Sequence, residues 1–328
     1  MKTQILGVGS DRELALAVAS AVQMLREGEA IALPTETVYG LAADALNVDA
    51  ALKIFEAKER PRFDPLIVHL PGAEWLTRIA KVEGTAGRVV ATLTAKFWPG
   101  PLTIVLPRAS FVPDLVTAGL ETVAVRVSAH PVFSAIVQVF AGPLAAPSAN
   151  RFGRISPTTA AHVAAELDGC IPLIIDAGPT DHGLESTIVA VRDEIVEVLR
   201  PGPITLEQLR EFGDVHVVAA RGRIVAPGQL PSHYAPRTPL VVVEDVAKFQ
   251  LPLGKRCGLL AWKSAMQPGF AEHRQLSVSG DLREAGANLF RYVRELDNAS
   301  LDLIVAERIT DAGLGNAIMD RLTRAAAR

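Results

Sequence analysis

Ala30-Ile31-Ala32-Leu33 runs directly into Pro34-Thr35-Glu36-Thr37-Val38-Tyr39-Gly40, an apolar tetrapeptide followed by a polar turn. A short apolar run bounded by turn residues reads as a buried strand. Upstream, Ser10 and Glu13 have the spacing of a capping box. Leu14, Val18, Ala21 and Leu25 then share one helical face, and Gly28 ends a helix expected over about residues 11–27. Downstream, Ala51, Ile54 and Phe55 mark a second helix over 49–57. Strand, loop and helix therefore recur around one polar turn, the place where open α/β sheets bind ligands.

The same alternation continues outward, with strands expected at 66–70, 102–106, 123–127, 173–176, 187–191 and 195–199 and helices near 131–140 and 158–167. The expected fold class is α/β, a mixed twisted sheet with flanking helices. Between Arg221 and Pro239 the hydrophobic period lapses, and Gly222, Pro227, Gly228, Pro231 and Pro236 mark a Pro-rich linker. Beyond it, strands at 240–243, 258–262 and 303–306 with helices at 285–297 and 315–327 suggest a smaller Rossmann-like α/β domain. The expected division is a catalytic domain over 1–212, a linker over 213–238 and a C-terminal domain over 239–328.

Composition narrows the class. Hydrophobic residues at 49% and charged residues at 21% are the balance of a packed chain, which excludes wholesale disorder. No apolar run approaches the roughly 20 residues that span a bilayer, and the start lacks the pattern of a signal peptide, so a cytoplasmic protein is expected. Cys170 and Cys257 are the only cysteines, without CxxC or Cys/His clustering, and read as buried thiols; no protein-held metal site is expected. A net charge of -3 with 5% aromatic residues gives no bulk signature of a nucleic-acid surface, so an anionic ligand must be met locally.

Several local clusters suit that task, each with a plainer reading beside it. Thr35, Glu36 and Thr37 either face a ligand or satisfy the backbone of their own turn. Lys58, Arg60 and Arg62 alternate around Glu59 and Pro61; if extended they form a cationic fork for a polyphosphate, and otherwise a solvated basic loop. Ser148 and Asn150 either point together at a ligand or form a turn after the apolar run 144–147. Ser156 is a candidate cap for the helix at 158–167, and His69 ends an apolar strand as a ligand or structural residue. Arg126 interrupts Val123-Ala-Val-Arg-Val, where a buried guanidinium needs an anion, either a ligand carboxylate or a structural Asp or Glu. Glu185-Ser186-Thr187 and Arg200-Pro201-Gly202 flank a strand pair. The chain has no GxxxxGK[ST], GxGxxG after a strand, GxSxG or HExxH, which argues against a P-loop ATPase, a Rossmann dehydrogenase or a zinc protease.

In order, PTETVYGL, KER followed by PLIVH, FWPGPLT, VAVR, APSAN, ESTIV, RPG and SHYAP resemble the YrdC-type threonylcarbamoyl-AMP synthases in their long two-domain form. The resemblance covers about residues 10–210 closely and the remainder more loosely. It implies a nucleotidyltransferase that makes L-threonylcarbamoyl-AMP from L-threonine, bicarbonate or CO2 and ATP, with Mg2+ and release of pyrophosphate. The product would serve N6-threonylcarbamoyladenosine formation at position 37 of ANN-reading transfer RNAs, after hand-off to a transfer-RNA threonylcarbamoyl transferase.

By the same resemblance Lys58, Arg60, Ser148 and Asn150 are the catalytic group and grip ATP together with Asp64, Thr122, Ser156, Arg200 and Tyr234. Thr35, Thr37, His69, Arg126, the Ala146 backbone and Ser186 would surround L-threonine, with Arg126 pairing its carboxylate bidentately. The linker, through Ser232-His233-Tyr234, would cross the mouth of the cleft as a lid. An RNA-binding module and a carbamoyl transferase built on the same domain are the alternatives; direct transfer-RNA binding and oligomeric state stay open.

Overall fold

The first long helix, Asp11–Arg26, starts at Ser10, whose side chain accepts the Glu13 amide; the Glu13 carboxylate takes the Ser10 hydroxyl at 2.9 Å and so leaves the expected reciprocal box half-made. The second helix, Val48–Lys58, starts at Asn47, whose carboxamide oxygen accepts from the amides of Asp49 and Ala50. It ends on Glu59 at φ 53, the left-handed conformation that closes helices. That cap corrects the expectation of an extended basic fork: Lys58 ends a helix, Arg60 lies beyond the cap, and Arg62 is exposed. The computed structural model describes residues 2–218, 224 and 226–327; Arg221 and Gly222 of the expected linker lie outside the described residues.

Among the described residues the larger sheet has eleven strands. Its centre runs Ile31–Leu33, Gly40–Asp44, Leu144–Ala145, Ile67–His69, Thr122–Arg126, Leu102–Pro107 and Thr187–Arg192. Gln4–Gly7 with Leu173–Asp176 extends one side, and Ile195–Arg200 with Asp214–Val217 the other. Parallel and antiparallel neighbours mix, as expected of this fold class. The strand Asp214–Val217 pairs in parallel with Ile195–Arg200, so the chain leaves the sheet later than the expected linker start at 213. One core packs the helices Asp11–Arg26 and Pro131–Phe140 against the sheet through Ala17, Leu25, Phe133 and Ile136. A second core gathers Ile54, Phe55, Leu93 and Phe97.

The C-terminal sheet is wholly parallel, ordered Leu240–Val243, Leu303–Glu307, Cys257–Ala261, Glu272–Gln275, with the helices Leu282–Asp297 and Gly315–Ala326. Its apolar core takes in Val38, Ile155 and Leu184 from the first domain and Tyr234 from the linker. The domains are thus joined by buried apolar surface as well as by chain. Closeness at one point is set by Gly183, at φ +65, where an added Cβ would lie 2.6 Å from both Ala287 Cα and the Gly286 carbonyl oxygen. Cys257 is buried, whereas Cys170 is exposed, against the expectation of two buried thiols. No helix among the described residues is long and apolar enough to cross a membrane.

Gly183→Ala combines a left-handed backbone with a clash against another domain's backbone, so it should lower stability by about 3 kcal/mol. Urea unfolding of the full chain reads this, and an unchanged midpoint would show that the interface yields freely.

Candidate active site

The central strands end around a cavity roofed by the linker residues Pro227, Gly228, His233 and Tyr234. Thr35 follows Ile31–Leu33 at the turn identified from the sequence. Its hydroxyl donates to the Val38 carbonyl at 2.6 Å and accepts from the amides of Thr37 and Val38, so the residue does satisfy its own turn. Because that single hydrogen is committed to Val38, Thr37 donates across the 2.8 Å contact between the two hydroxyls. Arg126 Nη1 then donates to the Thr37 hydroxyl at 3.0 Å, extending the chain of bonds to the opposite wall. Both threonines line the cavity, so satisfying their own turn does not remove them from its wall.

Arg126 ends the strand Thr122–Arg126, fully buried, and the anion it requires is Glu36, 2.6 Å from Nη2. The Glu36 carboxylate also accepts from the Ser128 hydroxyl at 2.5 Å and the Ala129 amide at 3.1 Å. Burial alone would raise its pKa; the Arg126 charge and these donors outweigh burial and hold it at about 2. Arg126 Nε donates to the Gly100 carbonyl, which gives the FWPGPLT segment its part in the site. The Arg126 guanidinium is held by Glu36, Thr37 and Gly100; Nη2 lies beside Glu36 without hydrogen-bond alignment, and Arg126 lines the cavity. His69 stands opposite Arg126 in register, packs on Phe133 and is neutral at physiological pH, since burial and then the Arg126 charge press its pKa to about 3.

On the other side, Arg200 Nη2 donates to the Ser186 carbonyl at 2.8 Å and to its hydroxyl at 3.1 Å, and Ser186 meets the Thr103 hydroxyl at 2.8 Å. Arg60 reaches the cavity with its guanidinium fixed by the Pro65 carbonyl and by Asp64 at 2.9 Å. Tyr234, at φ 62, is buried between His233 and Phe290. Gly228 admits the Tyr234 hydroxyl, because a Cβ there would lie 2.7 Å from it. Thr35, Thr37, His69, Arg126, Ala146 and Ser186 all line the cavity, as do Arg60, Ser148, Arg200 and Tyr234.

Five expected residues stand behind the wall. Lys58 is fully buried and donates to the Ser148 and Asn150 carbonyls at 2.5 Å each, bracing the loop that presents Ser148; burial, then the Arg60 charge, push its pKa well down. Asn150 turns its amide to the Arg151 and Arg154 carbonyls, so Ser148 and Asn150 do not point together. Asp64 holds Arg60. Ser156 donates to Glu185, and the helix Ala160–Leu167 is capped by Thr159 instead. Thr122 begins the strand that Arg126 ends, about 13 Å away at the rise of an extended chain. Glu185 and Gly228 line the cavity without having been singled out as ligand contacts, and His233 lines it as part of the linker segment expected to cross the cleft. Glu185 lay in a quoted motif, but its sequence neighbours carry no sign of its partner in another domain.

Comparison with known proteins matches residues 23–202 to the Sua5/YciO/YrdC family model, described as telomere recombination, and residues 204–327 to the C-terminal domain of threonylcarbamoyl-AMP synthase. The chain belongs to the Sua5/YciO/YrdC family. A threonylcarbamoyl-AMP synthase of Bacillus subtilis is 41% identical over 94% of this chain and 92% of its own, and one of Pyrococcus abyssi is 40% identical over 93% and 92%. The crystal structure of P. abyssi Sua5 complexed with L-threonine superposes with a TM-score of 0.89 at 37% identity, covering 99% of this chain and 98% of that one. This Sua5-type chain therefore shares its two-domain architecture with a structure that binds an amino acid.

Glu36 gives the family site a measurable acid response. Its folded pKa of about 2 lies below the ordinary 4.5, so it contributes stability fully above pH 4.5 that is lost as pH falls through about 2. Glu36→Gln should cost about 3 kcal/mol at neutral pH and remove this acid-dependent component. Denaturant titrations from pH 7 downward test it; parallel stability curves for the two proteins would sink the assignment.

Proposed function

We propose that this enzyme is a nucleotidyltransferase making L-threonylcarbamoyl-AMP from L-threonine, bicarbonate or CO2, and ATP. The observation that carries the reading is the meeting of Arg60, Arg126 and Arg200 in one cavity with Thr35, Thr37, His69, Ala146 and Ser186. Three buried guanidiniums suit a chemistry that gathers a carboxylate, a carbamate and a triphosphate. The threonine amine takes up CO2 and gives up a proton to form the carbamate. A carbamate oxygen attacks the α-phosphorus of ATP, the bond to the bridging oxygen breaks, and pyrophosphate leaves. No side-chain nucleophile is required; the protein orients the anions and neutralises charge as it shifts.

Residue roles follow the geometry. Thr37, Arg126 and Ser186 hold threonine, and His69, being neutral, shapes its pocket without adding charge. Arg60, Ser148, Arg200 and Tyr234 meet ATP directly. Lys58, Asn150, Asp64 and Ser156 fix those groups in place, and Thr122 has no direct part. Glu185 is the only carboxylate on the described wall, and it is already engaged by Arg321 and Ser156; no acidic or histidine cluster among the described residues forms a metal site. Magnesium in this reading arrives as part of Mg-ATP, carried by phosphates and water. The adenylate is consumed by a separate transfer-RNA threonylcarbamoyl transferase in the cytoplasm. The relatives favour neither an RNA-binding module nor a carbamoyl transferase.

Mixing the protein with Mg-ATP and bicarbonate, with and without L-threonine, should yield threonylcarbamoyl-AMP and pyrophosphate only when all three substrates are present. Mass spectrometry of adenylates reads the product, and its absence under every divalent metal rejects the proposal. In the same assay Tyr234→Ala should weaken ATP binding by about tenfold. Its melting temperature should fall by only a few degrees; unchanged ATP affinity would remove Tyr234 from the nucleotide site.

A further inference from the structure

The cavity wall that receives a triphosphate in the proposed reaction contains a carboxylate, Glu185, and its counter-ion comes from the other domain. Arg321, on the helix Gly315–Ala326, is 1% exposed and donates from Nε to Glu185 Oε2 at 2.8 Å. Its Nη1 binds Asp320 at 2.6 Å, and its guanidinium lies 5.2 Å from the centroid of the Tyr234 ring. The other Glu185 oxygen accepts the Ser156 hydroxyl. Arg321 therefore touches both the acidic wall residue and the linker aromatic, 136 positions from one and 87 from the other along the chain.

A carboxylate fixed in a buried cavity repels phosphate unless a cation accompanies it. Arg200 is nearby, but its hydrogen bonds go to the Ser186 and Pro227 carbonyls and the Ser186 hydroxyl and none goes to Glu185. The Glu185 carboxyl stays below the ordinary range although burial pushes it up, because Arg321 and then Arg200 outweigh burial. Arg321 is the cation hydrogen-bonded to it, and Asp320, which shares Arg321, is itself paired with Arg324.

Resting on the reading that ATP occupies this cavity, we propose that Arg321 is a positioning residue for the nucleotide. It neutralises and aims Glu185, so that the wall accepts a triphosphate, and it seats Tyr234 over the same site. The C-terminal domain thereby supplies the cation hydrogen-bonded to Glu185, beyond packing against the linker.

The test compares the full-length protein with Arg321→Met, Glu185→Gln and the double variant, by calorimetric titration with Mg-ATP, steady-state KM values and thermal melting. Arg321→Met should weaken ATP binding by about tenfold or more and leave the L-threonine KM within about twofold. On the Glu185→Gln background the same change should cost less than about threefold, because the charge to be balanced is gone. A purely structural role moves melting temperature and both KM values together and gains nothing from Glu185→Gln. Wild-type-like ATP affinity in Arg321→Met, or equal loss with and without Glu185→Gln, overturns the proposal. Should Arg321→Met fail to fold, the comparison of Glu185→Gln with the double variant decides by the same threefold criterion, and a double variant that also fails to fold overturns the proposal. A wild-type protein that binds ATP but forms no adenylate would reject the proposed reaction while leaving this result readable; one that binds no ATP overturns the inference.

Discussion

Arg126 and Glu36 form a buried ion pair at the ends of two central strands, and the cavity is organised around it. A guanidinium placed in an apolar strand is too costly to leave unpaired. Satisfying it draws together the Pro34–Gly40 turn, the Gly100 loop and the Ser128–Ala129 segment. The resulting ring of hydrogen bonds fixes Thr37 and Thr35 with their hydroxyls on the cavity. A charge that looks like a liability within its strand thereby aligns three separate loops.

The opposite wall repeats this logic between domains. Glu185 is balanced by Arg321, and Tyr234 leaves the linker to join the apolar core of the C-terminal domain. The linker is held further by the Arg324 guanidinium on the Leu230 carbonyl and by the His233 amide on the Arg324 carbonyl. One helix of the smaller domain therefore grips the roof of the cavity along several residues. Moving that roof requires breaking polar bonds and exposing Tyr234, which couples access to the site with the packing of the two domains.

Most of the fold was legible because its elements carry local signals. The helices Asp11–Arg26, Val48–Lys58, Pro131–Phe140 and Leu282–Asp297 follow apolar spacing, and the central strands are continuous apolar runs. The helix Gly84–Phe97 escaped although Val90, Leu93 and Phe97 give it a buried face, and other elements that escaped have little such contrast. Glu272-His-Arg-Gln becomes a strand without an apolar residue because a neighbouring strand edge pairs with it. Asp214–Val217 is an exposed edge strand, and Gly40–Asp44 is made largely of small residues.

For the site, residue types and motif order indicated which groups surround the cavity, since a cation in a strand or hydroxyls at a strand end are visible in the chain itself. They did not reveal that Lys58 and Asn150 brace a loop, that Thr122 lies at the far end of its strand, or that Glu185 takes its partner from the final helix. The sequence by itself determined the periodic elements, the two-domain plan and the family motifs, because these rest on spacing over a few residues. Only the tertiary structure decided the partners of Arg126, Glu185 and Tyr234, because burial leaves each to be satisfied by whatever group the topology brings within a few ångströms, however distant in the chain.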